Sequence, residues 1–131
     1  MPTTLTVRDE FLAGSAARRF ELSFPSERIT VRELIRERVY QEVQDYNLRR
    51  AGVFSGLVQP LDSETSLNGY ALRPGREIDW RVQFERACEA YEKKRVLVLV
   101  GARQTTALDE TIEIARGTEV AFLKLVPLVG G

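Results

Sequence analysis

The residues with the clearest chemical potential stand at the end of the sequence, in Val126-Pro127-Leu128-Val129-Gly130-Gly131. Two glycines carry no side chains. They can therefore lie in a narrow enzyme channel and bring the Gly131 carboxylate to a phosphate or a thiol. Leu128 and Val129 offer side-chain anchors to such a channel, and Pro127 restricts the tail and lowers its ordering cost. A Gly-Gly ending taken alone is more often ordinary fraying of a terminus. The remainder of the chain favours the chemical reading.

Other candidates for chemistry are weaker. The sequence has no histidine, which removes the commonest general base and metal ligand. Asp109 with Glu110, and Glu42 with Asp45, are carboxylate pairs placed where a solvated face would put them. Cys88 lies on an apolar helical stripe and reads as a buried structural thiol. Trp80, Phe84 and Tyr91 read as core, and the Arg18-Arg19 and Arg49-Arg50 pairs as solvated surface. No phosphate-binding loop, dinucleotide fingerprint or cysteine-rich metal spacing is present. No metal site and no bound cofactor are expected, and the chain reads as a substrate of catalysis, not an enzyme.

Composition bounds the setting. The 131 residues suffice for one domain with a real core. Nineteen basic and nineteen acidic residues cancel, so no nucleic-acid or membrane footprint is expected. The lone cysteine excludes an internal disulfide and fits a reducing cytosol. Met1-Pro2-Thr3-Thr4-Leu5 lacks the charged and apolar regions of a signal peptide, so a cytoplasmic location is expected.

The elements that must position the tail follow from periodicity. Alternation over Thr4–Phe11 and Arg18–Phe24 predicts two half-buried strands joined as a hairpin across Leu12–Ala16. Thr30-Val31-Arg32-Glu33 is a capping box, and Val31, Leu34, Ile35, Val39 and Val43 follow at helical spacing, predicting a helix from Val31 to about Tyr46 or Leu48. Glycines and prolines between Ala51 and Glu77 predict turns and short pieces, although the apolar content requires that stretch to be ordered. Asp79 is an N-cap for a second helix to Tyr91, with Trp80, Phe84, Ala87, Cys88 and Tyr91 on one face. Full burial of that face would make Trp80→Ala cost roughly 3–5 kcal/mol. Val96–Val100 reads as a strand buried on both faces, Thr111–Ile114 as a short strand, and Ala115–Thr118 as a turn. A last strand over residues 119–126 runs into the tail.

Hairpin, helix and a C-terminal strand lying parallel beside the first describe the β-grasp plan. The run Arg116-Gly117-Thr118-Glu119-Val120-Ala121-Phe122, ahead of a proline and Gly130-Gly131, resembles the ends of the MoaD and ThiS sulfur carriers. Val98-Leu99-Val100-Gly101-Ala102-Arg103-Gln104 is similar to their third strand and following turn, without the asparagine usual there. The resemblance covers residues 1 to about 40 loosely and 96–131 well. The extended strand before Gly-Gly looks closer to ubiquitin, and the chain resembles the β-grasp proteins of bacterial ubiquitin-like conjugation operons. This implies an α+β, ubiquitin-like mixed sheet around a helix, as a single domain over 1–131. A second helix and loop would be inserted at about 47–95, and a flexible tail would start at about 127.

The resemblance also implies a function. In the lead reading the chain is a ubiquitin-like protein modifier. A partner activating enzyme, which holds ATP and Mg²⁺, adenylates Gly131 for conjugation to a target, and Pro127, Leu128, Val129 and Gly130 are recognised in the partner's channel. A conjugating enzyme and a deconjugating protease would be further partners. The alternative is a sulfur carrier of the MoaD/ThiS type with a C-terminal thiocarboxylate. A third reading is a β-grasp interaction domain with an incidental Gly-Gly.

Overall fold

The computed structural model describes residues 3–11, 18–50, 52–66, 69–73, 75–115 and 117–125. Two compact units emerge, one comprising Met1–Leu34 with Ala90–Gly131 and the other Ile35–Glu89. The protein is α+β, with two helices and a mixed main sheet among the described residues. No helix among the described residues is long and apolar enough to cross a membrane.

In the first unit, strands β1 (Thr3–Phe11) and β2 (Arg18–Phe24) pair antiparallel, with Leu5 opposite Leu22 and Val7 opposite Phe20. The hairpin is therefore as expected, while its connection at 12–17 lies outside the described residues. Alternation sorts the side chains: Leu5, Val7, Leu22 and Phe24 are buried, and Arg8 reaches Glu10 and Glu119 at 2.7 and 3.3 Å. One residue breaks the apolar pattern, because Asp9 follows Val7 on the same side and is also buried.

Strand β3 (Arg28–Thr30) pairs antiparallel with β9 (Thr111–Glu113) through Ile29 and Ile112. Helix α1 (Val31–Arg49) starts directly after β3 and runs one residue past the longer expected end. Thr30 caps it: its Oγ1 accepts the Glu33 N–H at 3.1 Å and donates to Glu33 Oε1 at 3.3 Å. The carboxylate thus returns to the Thr30 hydroxyl. Strand β7 (Val96–Val100) turns through Gly101-Ala102, with Gly101 at φ 60, into β8 (Arg103–Gln104). Val96 and Val98 are buried but Leu97, Leu99 and Val100 are only half-buried, so the expectation of burial on both faces is corrected. Its outer neighbour, β8, spans only two residues and shields little.

Strand β10 (Glu119–Lys124) completes this sheet, whose order is β2-β1-β10-β7-β8. It lies parallel to β1, from Thr6 opposite Glu119 to Phe11 opposite Lys124, and antiparallel to β7. The expected pairing of first and last strands is present.

The second unit carries most of α1, a small sheet of β4 (Val53–Phe54), β6 (Gly69–Ala71) and β5 (Glu64–Ser66), and most of α2 (Trp80–Glu92). Phe54, Leu57 and Leu72 are buried, so the glycine-punctuated stretch is ordered. Asp79 Oδ1 accepts the Arg81 N–H at 2.9 Å and caps α2 as expected. The stripe differs from expectation in composition. Ala87 and Cys88 are buried, and so is Gln83, whose amide donates to the Val58 carbonyl at 3.1 Å. Trp80 and Phe84 are only half-buried. Trp80→Ala should therefore destabilise by about 1–3 kcal/mol, below the cost of deleting a core aromatic. Urea unfolding followed by circular dichroism measures it, and a loss above that range would mean the ring is more deeply engaged than its exposure implies.

Candidate functional site

Strand β10 is hydrogen-bonded on both sides, and Val120, Ala121 and Phe122 are buried. A central strand is the most rigid place in a sheet from which to launch a segment, because neither edge can peel from solvent. Anchoring continues one residue past the strand, where the Leu125 N–H donates to the Arg95 carbonyl at 2.9 Å. The residues expected to carry the chemistry, Pro127, Leu128, Val129, Gly130 and Gly131, lie outside the described residues, as does Val126.

At the end of the sheet toward which β10 runs, β7 begins at Val96 opposite Lys124, and β2 begins at Arg18. The segment entering β7 is Lys93-Lys94-Arg95, exposed throughout. Its path is fixed by a Schellman closure of α2: the Arg95 N–H bonds the Ala90 carbonyl at 2.9 Å and the Lys94 N–H bonds Tyr91 at 3.0 Å, with Lys94 at φ 60. Glycine is usual at that left-handed position. Lysine occupies it here, so this end of the sheet is cationic, and it contains Lys93, Lys94 and Lys124, the only lysines in the sequence.

Beside the same segment is an open cleft of about 370 Å³, lined by Arg32, Tyr91, Lys94, Val96, Thr105 and Asp109 among others. Its floor is a closed hydrogen-bond chain. The Tyr91 hydroxyl shares a 2.8 Å bond with Thr105 Oγ1, which donates to the Val98 carbonyl at 2.9 Å. Burial is the main cause that raises the Tyr91 pKa above its ordinary value. At the rim Arg32 pairs with Asp109 at 3.0 Å.

Glu110 closes the neighbouring loop. Its carboxylate accepts the Thr106 N–H at 2.9 Å and pairs with Arg103. The backbone hydrogen bond, then the Arg103 contact, hold its pKa below the ordinary 4.5. A depressed folded-state pKa contributes stability that is present above the unfolded value and lost as pH falls through the folded one. Acid titration of stability should thus show an added loss below pH 4.5. That loss should be reduced in Glu110→Gln, and identical acid limbs for the two proteins would refute the assignment.

The other residues weighed from sequence fall in separate places. Asp109 and Asp45 are exposed, as expected. Glu42 is not on a solvated face, since its side chain is 11% exposed and bonds Arg38 Nε at 2.5 Å. Cys88 is buried. Arg18 stacks over Phe20, Arg19 pairs with Glu119, and Arg50 pairs with Glu77. No group of metal-ligating side chains assembles among the described residues. Sequence reasoning missed a cluster in which Arg36 and Arg81 both lie over Trp80. The available signal was the spacing of Arg36 and Tyr40, one helical turn apart on the polar side of α1.

No family model, no curated protein and no solved structure matches this chain.

Proposed function

We propose that the protein is a β-grasp, ubiquitin-like modifier whose Gly131 carboxylate is activated by a partner enzyme and joined to a target. The observation that carries this reading is the course of β10. It lies at the centre of the sheet, parallel to β1, is anchored through Leu125, and leads toward the segment that holds Gly130-Gly131. The order hairpin, helix, C-terminal strand beside the first supports the β-grasp assignment. The run from Gly117 to Phe122 ahead of Pro127 supports the likeness to MoaD, ThiS and ubiquitin.

The chemistry follows from the carboxylate. At neutral pH it resists attack, because the nucleophile would have to expel oxide. When a carboxylate oxygen attacks the α-phosphorus of ATP, pyrophosphate leaves and an acyl adenylate forms. A thiol sulfur on the partner then attacks the acyl carbon and AMP departs, leaving a thioester. An amine of the target displaces the thiol and yields an amide. The chain contributes a tail that reaches the partner's channel: the six residues after Leu125 span at most roughly 20 Å. The cationic end formed by Lys93, Lys94 and Arg95 would draw an acidic rim of the activating enzyme toward the tail. ATP and Mg²⁺ belong to that enzyme.

The test uses the intact chain, ATP, Mg²⁺ and candidate adenylating enzymes from the same genome. Intact-mass analysis should detect the adenylate and then a thioester to the enzyme. A free thiocarboxylate in place of conjugates would assign the sulfur-carrier reading. Absence of any adenylate would leave an interaction domain.

A further inference from the structure

The 35–89 unit carries a second surface that the tail chemistry does not use. Trp80 meets the edge of Tyr40 at a centroid separation of 5.3 Å and an interplanar angle of 90°. The guanidinium carbons of Arg36 and Arg81 lie 5.6 and 5.4 Å from the centre of the same ring. Both arginines are exposed, Trp80 is half-buried and Tyr40 is 36% exposed.

In this unit Arg38, Arg50 and Arg76 pair with Glu42, Glu77 and Asp62. Among the described residues, Arg36 and Arg81 have no carboxylate partner, as is true of Arg49, Arg73 and Arg86, but Arg36 and Arg81 meet on one ring. The quadrupole of that ring compensates part of their charge, at about 0.5–1 kcal/mol for each exposed contact. Each guanidinium lies within 5.6 Å of one centroid, so a short segment can reach both. A guanidinium held against an aromatic ring is also pre-organised. Its N–H edge stays available for a bidentate carboxylate, and little side-chain entropy is left to lose on binding. Carboxylates seated there would complete both forks.

The composition narrows the anion. Tryptophan, tyrosine and arginine are the residue types that dominate binding energy at protein interfaces. The chain's net charge of zero supplies no long-range field to concentrate a nucleic acid. We propose that Arg36, Tyr40, Trp80 and Arg81 form a docking surface for an acidic segment of a protein partner. Carboxylates engage the two guanidiniums, and the aliphatic parts of the segment lie against the two rings. This surface is independent of the reading given to Gly131.

Trp80 is the only tryptophan in the chain, so its fluorescence reports the site directly. The intact protein is titrated with a hexaglutamate peptide at low and at physiological salt, with hexalysine and inorganic phosphate in parallel. Hexaglutamate should produce a saturable change in Trp80 emission that weakens as salt rises, and hexalysine none. R36Q/R81Q should weaken binding at least about tenfold, as loss of two charge-assisted contacts requires, with an unchanged far-ultraviolet circular dichroism spectrum. R36K/R81K keeps the charge without the planar fork and should fall between. R49Q removes an exposed positive charge elsewhere and should bind like the parent. The proposal is overturned by an absence of saturable change with hexaglutamate, by equal binding in R36K/R81K and the parent, by equal weakening in R49Q, or by inorganic phosphate binding as tightly as the peptide.

Discussion

Glu42→Ala should destabilise the 35–89 unit by about 3–5 kcal/mol, the cost typical of breaking a buried ion pair from one side. Arg38 is 1% exposed, and its Nε donates to Glu42 Oε1. The second carboxylate oxygen accepts the Leu57 N–H at 3.1 Å. Truncation therefore removes the counter-charge of a desolvated guanidinium and leaves a backbone donor without its acceptor, and both penalties act together. The turn cannot easily close around the gap. A Cβ on Gly56 would fall on the Phe54 ring and 2.8 Å from Glu42 Oε2, so the backbone is already pressed against both groups. Trp80 lies in the same unit and provides the optical probe for urea unfolding. The double replacement R38M/E42L should recover the part of the loss due to the unpaired charge, and keep the part due to the Leu57 N–H, because an apolar pair needs no desolvation but accepts no hydrogen bond. A cost below about 1 kcal/mol for Glu42→Ala would show that water or another group replaces the carboxylate.

That pair also shows where sequence reading stops. The capping box at Thr30 and the N-cap at Asp79 were legible because each bond closes within three residues of its donor. The β1–β2 hairpin and the parallel β1–β10 pairing followed from period-two runs and from the crossover that the helix supplies. Glu42 has the spacing of a solvated helix face, whereas its burial comes from the turn at Leu57, fifteen positions away. Strand β3 was missed for the same reason. Three residues after a proline carry no periodicity, and Ile29 is buried through its partner Ile112. Gln83 is buried with its amide satisfied by the Val58 carbonyl, a partner that helical spacing does not reveal, while Trp80 and Phe84 are half-buried. Of the candidate site, the launching strand could be read from the sequence and is described by the structure. Of the Arg36–Trp80–Arg81 cluster the sequence offered only the Arg36–Tyr40 spacing, because Arg36 reaches the ring from another helix and that approach has no local pattern.

Deleting Gly131, or extending the chain beyond it, should abolish activation while the fold stays intact. The reactive atom in the proposed chemistry is the carboxyl carbon of Gly131, and neither variant presents a glycyl carboxylate at the same distance from Leu125. Stability should be unchanged, because among the described residues the hydrogen-bonded sheet ends at Lys124 and the last anchor is the Leu125 N–H. Gly130 supplies a graded version of the experiment. A narrow channel tolerates one methyl better than a branched side chain, so Gly130→Val should reduce adenylate formation more than Gly130→Ala, both with the parent melting temperature. If the channel reads Leu128, then Leu128→Ala should weaken binding of the protein to the activating enzyme and leave the chemical step of the bound complex unchanged. The fate of the activated carbonyl is measured in cell lysates by mass spectrometry. Amide or ester remnants of Gly131 on other proteins identify a modifier, and a thiocarboxylate without remnants identifies a sulfur carrier. Undiminished activation after deletion of Gly131 would refute both, since no other carboxylate in the chain is delivered by an unbranched pair of residues.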